Sequence, residues 1–230
     1  MVPFFYALVT SAATLTGGTL PMYTRLRQVE QRYMVAFAGG AMVAIALFDL
    51  IPAMDSHNAV ALLAGFFIVY LLEKIVMLHS CGETECVAHS IGWSALIGIA
   101  AESLIDGVAI AVGFRATPAL GLLIALAVFV HEVPRGLTTT VKMQEAGYSR
   151  ISVWATLAVD AGFAPLGVLL AGFTPASAFE WLIGFTAGVF LYVGASDLLP
   201  DAHRHFNLRV VISTLTGGGL IPLLGILLGK

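Results

Sequence analysis

Charge is what this sequence has least of. Asp, Glu, Lys and Arg make up 11% of its 230 residues, against about 25% in a soluble domain. With 59% hydrophobic residues and a mean hydropathy of +0.93, that deficit excludes an ordinary soluble enzyme and describes a polytopic membrane protein. A basic excess is missing too. The formal net charge of -3 and the pI near 6.0 leave no electrostatic footprint for a nucleic-acid partner. Cysteine is nearly absent, and Cys81 and Cys86 are too few for a disulfide framework. The opening MVPFF lacks the basic segment of a cleaved signal peptide, so the first apolar stretch is expected to be retained. Glycine is plentiful, at 24 residues, as befits membrane helices.

Apolar stretches of about 20 residues can cross a bilayer, and eight are present: roughly 3–21, 33–53, 58–78, 91–114, 118–141, 151–173, 178–200 and 209–229. Few residues remain between them, so residues 1–230 are expected to form one transmembrane domain. Basic residues collect in cytoplasmic loops. Arg25, Arg27, Arg32, Lys74, Lys142, Arg150, Arg204 and Arg209 fall on one side, with only Arg115 and Lys230 on the other. The first set is read as cytoplasmic, which puts both termini outside. The second span ends ALFDLIP and the seventh GASDLLP, and these spans run in opposite directions. The expected fold is therefore all-α, eight transmembrane helices, with an inverted repeat of spans 1–3 and 6–8 around spans 4–5. Such repeats are a mark of secondary transporters that bind at the membrane midplane.

A charge at the centre of a membrane helix costs at least about 2.5–3.5 kcal/mol, yet several occur together here. The fourth span carries Glu102, Ser103 and Asp106. The two acids are four residues apart and so share a helix face. The fifth span carries HEVPRG, with His131, Glu132 and Arg135 at similar depth. Pro134 withholds a hydrogen bond from the Val130 carbonyl, so a break is expected beside His131. One arginine cannot neutralise three carboxylates, which weighs against a purely structural ion pair. Carboxylate and imidazole together suit divalent transition metals.

Met42 is a soft thioether in a helix of small residues, taken alone better suited to packing than to holding a metal. Asp160 lies in mid-span and is read either as part of a site or relay or as a helix–helix hydrogen bond. Asp49 and Asp197 lie near span ends on opposite faces, as an entrance and an exit would. Asp201, His203 and His205 extend the exit side. The loop at about 79–90 gathers His79, Cys81, Cys86 and His89, ligand types that wrap zinc or another soft metal, though at no standard zinc-finger spacing.

These features resemble the ZIP (Zrt/Irt-like) family of divalent metal transporters over nearly the whole chain. The fourth-span motif H-N-x-x-[DE]-G reads here ESLIDG, and the fifth-span motif H-[ND]-x-P-E-G or H-E-x-P-H-E reads HEVPRG. The resemblance implies a site between spans four and five, flanked by spans two and seven, and import toward the cytosol. It also implies metal-site positions at Met42, Glu102, Ser103, Asp106, Glu132 and Asp197. Arg135 falls where the family places a bridging ligand, and an arginine has no lone pair to give a cation. One transported ion is therefore expected, held by Glu102, Asp106 and Glu132, with His131 a further candidate. The guanidinium would fill the place of a second ion.

The expected function is divalent transition-metal transport, zinc or iron foremost, with no resident cofactor. The expected location is the plasma or inner membrane, as a multi-pass protein. The glycine-rich TLTGG and TLTGGG segments suit packing within one protomer or in a homodimer. A metal sensor that does not transport is the main alternative. An intramembrane metalloprotease is the remote one, because Arg135 replaces the second His of H-E-x-x-H.

Overall fold

The structure is a computed structural model that describes residues 1–23, 31–81, 93–204 and 206–228. Eight long helices run through it: α1 (Val2–Tyr23), α2 (Gln31–Ala53), α3 (Ala59–Cys81), α4 (Trp93–Ala116), α5 (Pro118–Glu145), α6 (Arg150–Ala171), α7 (Ala176–Ala202) and α8 (Leu208–Leu227). No strand occurs among the described residues. Six of the helices, α2 and α4 to α8, are long and apolar enough to cross a membrane. The chain is an all-α polytopic membrane protein. Large apolar side chains such as Phe5, Phe67, Ile151 and Leu215 stand exposed, a surface suited to lipid.

Local chemistry sets the helix starts. Thr117 accepts a hydrogen bond from the Leu120 N–H at 3.0 Å ahead of Pro118, where a missing N–H costs nothing. Ser149 accepts from Ser152 at 3.2 Å, and Asn207 from Arg209 at 2.9 Å. Gly147, at φ 81°, makes the turn from α5 to α6.

Four helix pairs dominate the packing: α1 with α5, α4 with α6, α2 with α8 and α3 with α7. Each is built on two reciprocal glycines: Gly17 and Gly136, Gly107 and Gly167, Gly40 and Gly217, Gly65 and Gly188. Every one of them lies against the carbonyl three residues before its partner glycine. Gly107, for example, faces the Ala164 oxygen while Gly167 faces that of Leu104. A Cβ at any of these positions would come within 3.0 Å of the opposing backbone. Exchanging α1 with α6, α2 with α7, α3 with α8 and α4 with α5 maps these four pairings onto themselves, which is the pattern an inverted repeat produces.

The two Asp-Leu-x-Pro motifs complete that correspondence. Residues Ala46–Leu50 of α2 and Tyr192–Leu198 of α7 widen into π-helical turns. The Ile51 N–H reaches back five residues to Ala46, and that of Leu199 to Gly194. Pro52 and Pro200 follow directly. A proline ring crowds the carbonyl four residues before it, and the wider turn moves that carbonyl out of register. Pro134 acts differently from expectation: α5 runs as unbroken helix from Pro118 to Glu145. Proline is tolerated in membrane helices where neighbours settle the freed backbone groups. The carbonyl freed here is that of Val130; the Thr138 hydroxyl bonds a different one, that of Pro134, at 2.8 Å.

Candidate metal centre

The close glycine contacts bring polar residues of α4, α5 and α6 into one buried cluster. Ser103, Asp106, His131, Glu132 and Asp160 are all at most 2% exposed. Arg135 is their hub. Its Nη2 lies 2.6 Å from Glu132 Oε1 and 2.6 Å from Asp160 Oδ1, and its Nη1 lies 3.3 Å from Asp106 Oδ2 and 3.5 Å from Glu102 Oε1. Nη2 also donates to the Ser103 hydroxyl, which donates in turn to Asp160. From α1, the Thr14 hydroxyl donates to Glu132 Oε2. One guanidinium thus faces four carboxylates, and unneutralised buried charge costs several kcal/mol per ion by rough estimate.

His131 points its second nitrogen into that excess of negative charge. Its Nδ1 lies 3.3 Å from the Ala127 carbonyl. With Nδ1 as the donor there, Nε2 keeps its lone pair, which is how backbone partners orient metal-binding imidazoles. Nε2 is buried without a hydrogen-bond partner, 3.3 Å from Asp106 Oδ2 and 3.8 Å from Glu132 Oε1. Ligand atoms of Asp106, His131 and Glu132 all fall within 4.8 Å of one another. A tetrahedral ion with bonds of about 2.0–2.1 Å holds its ligands about 3.3 Å apart. The three donors are thus spaced to close on one small divalent ion with slight adjustment.

A cavity of about 340 Å³ leads away from this cluster, lined by Glu102, His131, Arg135, Lys142, Asp197 and Asp201 among others. It shares Lys142, Asp201 and Arg204 with a second hollow that Arg32 also borders, on the side of the basic loops. A third, of about 230 Å³, is walled by α3, α4 and α7 and shared by Glu73, Glu102 and Asp197. On the other side of the cluster the helices close over apolar side chains, with Ile45, Ala109, Ile110, Ile124 and Val128 fully buried.

The other sequence candidates divide around this arrangement. Glu102 stands at the cavity edge, its side chain 28% exposed, one helical turn from Asp106. Met42 is fully buried among apolar core residues. Asp49 is buried in the π-turn at the far end of α2 from Arg32. Asp201 pairs with Arg204 at 2.8 Å, and His203 Nδ1 lies 2.9 Å from the Leu199 carbonyl. The side chains of His79 and Cys81, and residues Cys86, His89 and His205, lie outside the described residues. Two participants carried little sequence signal: Thr14 is one of several hydroxyls in α1, and Glu73 adjoins Lys74, which it meets at 2.8 Å. Asp160, read from the sequence either as part of a site or relay or as a helix–helix hydrogen bond, is tied to the cluster through Arg135 and Ser103.

Comparison with known proteins places these residues in a wider group. The model of the ZIP zinc transporter family matches residues 78–229, more than half of the chain. A putative zinc transporter of Arabidopsis thaliana is 27% identical over 92% of this chain and 36% of its own length. Zinc transporter ZIP5 of Mus musculus is 38% identical over 66% of this chain and 28% of its own. Zinc transporter ZIP13 of Pongo abelii is 29% identical over 60% of this chain and 43% of its own. The chain spans less than half the length of each.

Proposed function

The chain belongs to the ZIP zinc transporter family, and from that premise we propose that it carries divalent transition-metal ions, zinc or iron foremost, through a centre made by Asp106, His131 and Glu132. The observation that carries this reading is the buried Nε2 of His131, unpartnered and aimed between two carboxylates. As the structure stands that atom has only its 3.3 Å approach to Asp106 Oδ2, and a metal bond would use its lone pair.

One ion rather than two fits the place that Arg135 takes. The guanidinium lies within 3.5 Å of Glu102, Asp106, Glu132 and Asp160 and fills the space a second ion would need. Charge alone does not choose, since one divalent ion leaves a single negative charge over and two leave a single positive one. From the centre, Glu102 stands next along the cavity, followed by Asp197 and Asp201. Carboxylates in that order pass an ion toward the basic loops, which are cytoplasmic by the excess of Lys and Arg, and both termini are then outside. The apolar seal on the opposite side makes this arrangement an inward-facing one. The peptidase alternative lacks its second His, because Arg135 only donates.

Metal uptake into proteoliposomes tests the reading, with Zn, Fe, Mn, Co, Ni and Cd supplied in turn. Wild-type protein is expected to take up zinc or iron. Asp106→Asn and Glu132→Gln are expected to lower uptake by about tenfold or more, since even outer-shell partners of a metal act on that scale. Tight binding without uptake would favour the sensor alternative instead. Uptake undiminished in both variants would place the path elsewhere.

A further inference from the structure

Arg135 and the proposed metal want the same oxygen. Glu132 Oε1 is the carboxylate atom facing His131 at 3.8 Å, and it is also the atom that Arg135 Nη2 meets at 2.6 Å. An ion bound between Asp106, His131 and Glu132 brings two positive charges against the guanidinium across that oxygen. Coulomb repulsion then acts across an oxygen that is held to Arg135 by charge and makes no directed hydrogen bond. The guanidinium must give Glu132 up, and it needs somewhere to stay.

The structure already holds that place. Asp160, on a different helix from the proposed ligands, takes the same Nη2 at 2.6 Å through Oδ1. Its second oxygen, Oδ2, is buried without a hydrogen-bond partner, so it has room for another N–H. Ser103 bridges the two, accepting from Arg135 and donating to Asp160. This side of the guanidinium stays satisfied when the Glu132 side is lost.

We propose that Arg135 is a displaceable counter-cation and that Asp160, with Ser103, is its anchor. In the metal-free chain the guanidinium bridges Glu132 and Asp160, its one positive charge shared between them. When a divalent ion takes Asp106, His131 and Glu132, the guanidinium withdraws onto Asp160 and Ser103. Asp160 is thus a positioning residue, not a ligand: it sets metal affinity by holding the competitor away. Because Asp160 belongs to α6, metal occupancy also changes how tightly α5 is tied to α6. The inference rests on the metal centre proposed above.

Zn²⁺ affinity of the purified full chain in lipid nanodiscs, measured by competition with a chelator, tests it in four proteins: wild type, Asp160→Asn, Arg135→Gln and the double variant. Asp160→Asn is expected to weaken Zn²⁺ binding by about tenfold or more, because the bond it loses to the guanidinium is a charge-assisted one, stronger than a neutral hydrogen bond. In the Arg135→Gln background the same substitution is expected to change affinity less than about threefold, there being no guanidinium left to anchor. Ser103→Ala should weaken binding in the same direction, and it too only while Arg135 is present. Equal losses with and without Arg135 would overturn the proposal, making Asp160 a direct ligand or a purely structural group. So would no loss in Asp160→Asn. If Asp160→Asn does not fold, Ser103→Ala decides by the same comparison. Absence of Zn²⁺ binding by folded wild type would overturn the metal centre itself, and this inference with it.

Discussion

At Arg135 a single cation meets the carboxylates of Glu102, Asp106, Glu132 and Asp160 within 3.5 Å. Removing or reversing that cation should change how many ions the centre admits. Arg135→Glu adds a fifth carboxylate and opens the volume of the guanidinium, so two Zn²⁺ per chain are expected by equilibrium dialysis where wild type binds one. A smaller effect is expected at Thr14, whose hydroxyl donates to Glu132 Oε2. Thr14→Val keeps the shape and loses a hydrogen bond to a charged group, about 1.5–3 kcal/mol, which should weaken Zn²⁺ binding by roughly tenfold in the same chelator competition. Protons compete with metal for carboxylate oxygens and for imidazole. Uptake into proteoliposomes should therefore fall as the side from which metal enters is acidified. Part of this centre was legible in the sequence, because intramembrane acids and a histidine four or fewer residues apart stand out against apolar helices. Spacing alone did not say which of them converge. Glu102 and Asp106 share a face of α4 but differ by about 6 Å along the axis, so the turn that meets His131 is decided by how α4 and α5 slide together. Asp160 was even less legible, since its partner lies on another helix.

At the scale of the helices, the reciprocal glycines make a sharper prediction than propensity does. Replacing a helical glycine by alanine ordinarily favours the helix by about 1 kcal/mol. Gly162 and Gly219 have nothing within 4 Å of an added Cβ, so Gly162→Ala and Gly219→Ala should leave the melting temperature in detergent unchanged or raise it. Gly107→Ala and Gly136→Ala drive a methyl into the backbones of α6 and α1, and no rotamer can relieve that. Both should lower the melting temperature sharply or abolish monodisperse protein, although neither glycine touches metal. The eight apolar stretches read from the sequence correspond to the eight helices with ends shifted by a few residues, because length and hydropathy carry that information locally. The repeated Asp-Leu-x-Pro also marked two corresponding positions correctly, but the π-turns beneath it were not legible. A change from four- to five-residue hydrogen bonding leaves no hydropathy signal. Pro134 misled for the opposite reason. Its missing N–H predicts a break, but α5 stays helical where α1 packs closely against the backbone at Val133 and Gly136.

Across the whole molecule, a cavity reaches the polar cluster from one side, while on the other an apolar layer stands between the cluster and a hollow of about 600 Å³ lined by Met1, Ala111, Arg115 and Thr174, and that asymmetry is open to a direct chemical test. Thr138 lines the cavity of about 340 Å³ that runs toward Lys142 and Arg204. Ala109, one turn beyond Asp106, is fully buried in the apolar seal. With Cys81 and Cys86 changed to Ser, Thr138→Cys and Ala109→Cys each carry one thiol that reports access from one direction. A membrane-impermeant thiol reagent should label Thr138→Cys from the side of the basic loops and leave Ala109→Cys unmodified in the resting protein. The inverted repeat then makes a second demand. In alternating access the two halves exchange roles around a fixed site, so turnover with Zn²⁺ must open the seal while it closes the cavity. Labelling of Thr138→Cys should slow under those conditions, and Ala109→Cys should become reactive from the opposite side of the membrane. Protection of both thiols in every condition would mean that the hollow is not a path. Labelling of Ala109→Cys from the basic side would mean that the apolar layer is not a seal, and that the chain conducts as a channel instead of exchanging two closed ends.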